Sequence, residues 1–210
     1  MADLSELKTR PWRRAAAIAT LIVVGVVTAL AFLIAPQHSF LIYYWLYAIP
    51  AHLLISFLPH ETMLFAVAQK YPPALVATVG CASSAAAGIL DYWLIGWFVS
   101  RKLVRQTFDQ SRWYAIAQRA FLKAPFLLIL GSALLPVPFY PVKILAIAND
   151  YALMPFLLAT LIGRWPRFYL LAIGAQKVKP PSALLTWLTL ALIALGLFQI
   201  WRTRQRQMTR

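Results

Sequence analysis

Six apolar runs, residues 15–35, 38–58, 73–100, 124–149, 151–174 and 182–201, take up most of this 210-residue chain. Its basic residues gather in three short segments: 1–14 holds four Lys or Arg, 101–123 six and 202–210 four. A hydrocarbon core about 30 Å thick needs about 20 helical residues to cross. Runs of this length predict an all-α polytopic membrane protein, with 1–210 as a single membrane domain. A composition of 61% hydrophobic and 12% charged residues excludes an ordinary soluble domain. The formal charge of +14 invites a nucleic-acid reading. The charges flank apolar runs, however, which is the pattern of topology signals and of contacts with anionic headgroups. Membrane lipids, anionic or phosphate-bearing, are therefore the expected partners, and nucleic acid is not.

The basic segments also constrain the path of the chain. The positive-inside tendency asks all three to share the cytoplasmic side. Lys8, Arg10, Arg13 and Arg14 lead into residues 15–36, a first transmembrane helix longer than the core of a usual signal peptide and so an uncleaved anchor. If 38–58 crossed outright, the helix at 73–100 would deliver 101–123 to the wrong side. Re-entry of 38–70 on one face, and of 124–149 ahead of helices at 151–174 and 182–201, keeps every basic segment and both termini inside. The predicted fold is thus two opposed re-entrant helical hairpins with flanking transmembrane helices, inverted-repeat-like. Proline-kinked spanning helices are the alternative.

Proline chemistry agrees with the breaks. Pro50 and Pro59 bracket one half-length run, and Pro136, Pro138 and Pro141 interrupt LPVPFYPVK. Each removes a backbone donor and disturbs the preceding turn. In hydrocarbon an open backbone persists only where protein or a wet cavity satisfies it, and broken half-helices near the midplane are how many transporters build a site. Residues 101–123 interleave Val104, Phe108, Trp113, Ala117, Ala120 and Phe121 with Arg and Lys, which suits a helix on the cytoplasmic headgroup layer or a solvated loop.

Six charged residues remain within the apolar regions: Glu61, Asp91, Lys143, Asp150, Arg164 and Arg167. A central Asp, Lys or Arg costs about 2.5–3.5 kcal/mol on insertion scales, so such groups face the protein interior, pair, or mark a substrate path. Arg164 and Arg167, three apart, neighbour one another on a helix, and adjacent guanidiniums call for an anion, phosphate oxygens above all, or for carboxylate partners such as Glu61 and Asp91. Lys143 either joins this anion site or snorkels to headgroups. Glu61 and Asp91 are candidates for proton coupling or ion pairing, Asp91 with an arginine across the seam. Gly80, Ser84, Gly88, Tyr92 and Gly96 recur every four residues and mark a helix face for close packing.

Catalytic and metal motifs are missing from the sequence. His38, His52 and His60 give no ligand spacing, the residues after His60–Glu61 do not complete H-E-x-x-H, and no G-x-S-x-G elbow occurs. The single Cys81 excludes an intramolecular disulfide and reads as a small packing residue. No enzyme, metal or cofactor is expected. A homo-oligomer is compatible with the chain.

In order, LPHE, GILDYWLIGW, LPVPFYPVK and GRWPRFYLLA resemble the DedA/VTT (SNARE-associated Golgi) superfamily, most closely its YqaA-like branch, from about Ala48 to Gly174. The resemblance implies opposed re-entrant segments and movement of phospholipids or lipid-linked phosphate carriers between leaflets, with proton coupling in bacteria and hence an inner-membrane location. By position it carries over Glu61, the element from Gly88 to Tyr92 and the element of Arg164, Arg167 and Phe168. Ser132 and Ala133 stand where many relatives have an arginine. A small-solute or cation transporter, or a non-transporting scaffold, are the rival functions.

Overall fold

The computed structural model describes residues 11–53, 58–98, 112–135 and 139–178, with isolated positions 181, 183, 187, 190, 191 and 194; side chains at 95–98 and 112–117 fall outside the description. Among the described residues every regular element is helical: α1 (Pro11–Ile34), followed by a 3-10 turn (Pro36–His38), α2 (Ser39–His52), α3 (His60–Ala68), α4 (Pro73–Phe98), α5 (Arg112–Lys123), α6 (Pro125–Leu134), α7 (Tyr140–Ala148) and α8 (Leu153–Val178). The chain is an all-α membrane protein. Three helices, α1, α4 over Pro73–Leu94 and α8, are long and apolar enough to cross a bilayer. Of the expected helix at 182–201 only positions 183, 187, 190, 191 and 194 are described, and the tail at 202–210 and residues 101–111 lie outside the description, as do Pro136 and Pro138.

The four helices of the broken segments are short. At 1.5 Å per residue, the 14 residues of α2 reach about 21 Å and the nine of α3 or α7 about 14 Å, less than the hydrocarbon thickness. Proline sets their boundaries unevenly. Pro59 caps the start of α3 and Pro141 sits in the first turn of α7, where a missing donor costs little. Pro50 lies inside α2, which continues to His52 before the chain extends at Leu53.

A pattern of elements repeats. A broken pair, a short link and a 26-residue helix occur as α2–α3–α4 and again as α6–α7–α8, with links at 69–72 and 149–152. The two long helices form the most extensive helix pair of the molecule. Their contacts run in opposite senses: Trp165 Nε1 donates to Thr78 Oγ1 at 3.3 Å, Arg164 to Ser84, and Tyr92 Oη to the Tyr151 carbonyl at 2.9 Å. As the residue number rises on α4 it falls on α8, so the helices are antiparallel and the two units point in opposite directions.

Small residues let the helices approach. A Cβ on Gly80 would meet the Tyr44 hydroxyl at 2.5 Å, and one on Gly88 would meet Phe156 at 3.3 Å, so both lie on the packed side of α4, while the surroundings of Gly96 fall outside the description. On α8, a Cβ at Gly163 would meet Ala133 Cβ and the Leu130 carbonyl, both at 2.7 Å, which brings α6 against the same helix. Two cores result. One joins α2 and α3 to the first half of α4 and the last half of α8, around Tyr44, Leu64, Val76 and Phe168. The other joins α6 and α7 to Tyr92 and the first half of α8, around Ile129, Leu145 and Phe156.

Helix α1 begins earlier than the apolar run, at Pro11, and buries Arg13 and Ala17. Arg13 therefore belongs to the folded interior and not to a basic flank. Its Nη2 meets Asp150 Oδ1 at 2.6 Å and its guanidinium packs on the Trp12 and Tyr92 rings. The rest of α1 leaves Leu21, Ile22, Val26 and Leu33 exposed, an apolar face suited to lipid. Helix α5 turns Phe121 inward onto Tyr151 and leaves Leu122 exposed.

Candidate functional site

The breaks in the two half-helix pairs converge on one face of α8. Between them lies a cavity of about 270 Å³, lined by His52 at the end of α2, His60 and Glu61 at the start of α3, Phe139 and Tyr140 at the start of α7, and Arg164, Arg167 and Phe168 of α8. Residues distant in sequence meet here because both units bring their interrupted backbone to the middle of the same antiparallel helix pair.

Arg164 is the most constrained cation in this wall. It is 8% exposed, donates from Nη1 to Ser84 Oγ and holds its guanidinium 4.5 Å from the centroid of the Phe139 ring. Ion pairs among the described residues are Arg13–Asp150, Lys143–Asp91 and Arg167–Glu61, so Arg164 has a hydroxyl and an aromatic face but no carboxylate. A buried charge without a counter-charge is costly, and the planar fork of Arg is suited to phosphate or carboxylate oxygens.

Arg167 lies one turn on, with Pro166 withholding a backbone donor between them. Its Nη2 is 3.3 Å from Glu61 Oε1, and Nη1 donates to the Leu135 carbonyl at 3.2 Å. With side chains 24% and 50% exposed, this pair is long and open, and easily exchanged for another partner.

Lys143 and Asp91 sit deeper. Lys143 Nζ is 2.6 Å from Asp91 Oδ2 and 2.8 Å from the His52 carbonyl, with the side chains 2% and 1% exposed. Asp91 thus pairs with the lysine of α7 and not with an arginine, and Lys143 neither reaches the cavity wall nor snorkels outward. Its ammonium ties α7 to α4 and caps a carbonyl at the broken end of α2.

The histidines carried no signal in sequence, yet the fold packs two of them together, their rings tilted by 48°. The His52 and His60 ring centroids are 4.1 Å apart, and Phe168 packs 4.9 Å from His60. His52 Nδ1 donates to the Ala48 carbonyl at 2.7 Å, and His60 Nε2 shares a 3.0 Å hydrogen bond with Tyr44 Oη. Among the described residues no three of His, Cys, Asp and Glu converge as a metal-ligand set.

Residues 58–176, more than half of the chain and all of this cavity beyond α2, match the VTT domain. The chain belongs to the VTT-domain family. This is the domain of the DedA/SNARE-associated Golgi proteins, generally transporter-like membrane proteins and not an enzyme family. No curated relative and no solved structure matches the chain. Within the VTT domain Ser132 and Ala133 are buried where the resemblance leads one to look for an arginine, and Ser132 Oγ donates to the Ile129 carbonyl. Arg167 brings a guanidinium to the same end of α6 from the neighbouring helix, through the Leu135 carbonyl.

Proposed function

We propose that this protein moves phosphate-bearing headgroups, of phospholipids or polyprenyl phosphates, between membrane leaflets by alternating access around the cavity of the two broken segments. The observation that carries this reading is Arg164: a buried guanidinium facing a cavity, with no carboxylate partner among the described residues. An incoming phosphate supplies the missing negative charge and accepts from the fork, and Arg167 joins it by leaving Glu61. The half-length of α2, α3, α6 and α7 supports re-entry of both segments, and the opposed direction of the two repeat units supports access from either face. The same reading includes a YqaA-like branch, a bacterial inner membrane, cytoplasmic termini and proton coupling. Lys143 and Asp91 serve it by holding the segments together.

Proteoliposomes containing fluorescent anionic phospholipid test it. The protein should accelerate loss of outer-leaflet reducible dye, and Arg164→Ala with Arg167→Ala should abolish the acceleration. Undiminished flipping in a folded double variant removes the anion site. Thermal shifts discriminate the solute-transporter reading, since a ligand at 100 times its Kd stabilises by about 2.7 kcal/mol: short-chain anionic lipid, and not small solutes, should raise the melting temperature.

A further inference from the structure

We infer that His52 and His60 form a proton-accepting dyad in the cavity wall, and that the site takes up one proton from solvent together with its anionic headgroup. The inference rests on the anion site at Arg164 and adds to it the group that carries the proton.

The hydrogen bonds assign the tautomers in part. A carbonyl only accepts, so His52 carries its hydrogen on Nδ1, where it meets Ala48, and presents the Nε2 lone pair. His60 uses Nε2 with Tyr44 and leaves Nδ1. Each ring thus keeps one nitrogen without a partner among the described residues, and both residues line the cavity. The ring centroids are 4.1 Å apart, too close for two positive charges to be tolerated, so the neutral dyad accepts at most one additional proton.

The surrounding charges make that proton conditional on the anion. From α8, Arg164 and Arg167 face the rings through the cavity. From α7, Lys143 donates to the carbonyl of His52 itself, and Tyr140 lines the same wall. Against these cations stand Glu61 of α3, engaged by Arg167, and Asp91 of α4, engaged by Lys143. The phenol of Tyr44 on α2 and the thiol of Cys81 on α4 lie in the adjoining core. Both carboxylates are thus matched by cations, and Arg164 remains as an excess positive charge that repels a ring proton. A monoanionic phosphodiester bound at Arg164 cancels that excess charge and removes the repulsion at the rings. The ring lone pair then takes a proton from solvent, one N–H bond forms, and the proton travels or is released with the headgroup.

Calorimetric titration of the detergent-solubilised full chain with short-chain phosphatidylglycerol near pH 7, in buffers of different ionisation enthalpy, counts the protons. This diester does not itself titrate in that range. The expected result is an uptake of about one proton per lipid bound, lost in His52→Gln, in His60→Gln or in both, with lipid binding retained but weakened. Loss in one variant assigns the proton to that ring. Binding with no proton uptake in the unaltered protein overturns the dyad and leaves the anion site standing, as does an uptake that survives in both folded variants. Absence of any lipid-binding heat in the unaltered protein overturns the anion site, and the dyad with it. Because the unaltered protein alone can give a negative result, the test does not depend on either variant folding.

Discussion

Arg164 of α8 donates a hydrogen bond to Ser84 of α4, and the two residues lie the same distance into two 26-residue helices of the repeated units. Equivalent positions touch where the antiparallel helices cross, so this contact marks the centre of the pseudo-symmetric pair. The units are alike in backbone and unlike in chemistry: one presents a hydroxyl at the centre, the other a guanidinium. A cation at the middle of a membrane fold, with an adjoining cavity, is the asymmetry on which the functional reading depends.

The Lys143–Asp91 pair should behave as a buried ion pair does. Lys143→Met or Asp91→Asn alone leaves a charge without its counter-charge and should cost about 3–5 kcal/mol, whereas Lys143→Met with Asp91→Leu should recover most of it. Unfolding in detergent, followed by tryptophan fluorescence, would show the double variant more stable than either single one. Equal or greater loss in the double variant would mean that the pair itself, and not charge matching, stabilises the junction.

Glu61 makes the contrasting prediction. Its side chain is 50% exposed and its bond to Arg167 is long, so Glu61→Gln should change stability by less than about 1 kcal/mol. Because the carboxylate no longer competes for the guanidinium, affinity for short-chain anionic lipid should rise. A fall in affinity would place Glu61 among the groups that assist the anion.

Glycine substitutions on α8 separate packing from propensity. Gly163→Ala puts a methyl 2.7 Å from Ala133 Cβ and the Leu130 carbonyl, backbone that cannot yield easily, and should cost about 1–3 kcal/mol by overpacking. Gly174 has nothing within 4 Å of the same position, so Gly174→Ala should be neutral or stabilising by up to about 1 kcal/mol through helix propensity. Melting temperatures of the two variants should move in opposite directions or differ in size by the packing cost.

At Asp150 two effects stack. The residue holds a left-handed backbone, φ 54, and pairs with Arg13. Asp150→Asn removes the charge but retains a side chain tolerant of that conformation. Asp150→Ala loses both and should be the less stable by about 1 kcal/mol. If the two variants melt together, the backbone conformation contributes nothing to the difference.

Run length, basic segments and proline positions are properties of one dimension, and they were enough to read an all-α membrane protein with long helices at 73–100 and 151–174, which the structure places at Pro73–Phe98 and Leu153–Val178. They also pointed to Arg164 and Arg167 on one helix face, since i and i+3 are neighbours by helical geometry alone. Pro11 was the available signal that α1 starts before its apolar run, because proline favours a helix's first turn, yet nothing near it announces that Arg13 reaches Asp150, 137 residues away. Nor does any local pattern say that Lys143 belongs to Asp91, or that the rings of His52 and His60 meet. Those pairings were decided by the antiparallel crossing of α4 and α8. Side chains in a low-dielectric interior take the nearest group able to satisfy them, and nearness there is set by helix packing, which local sequence cannot express.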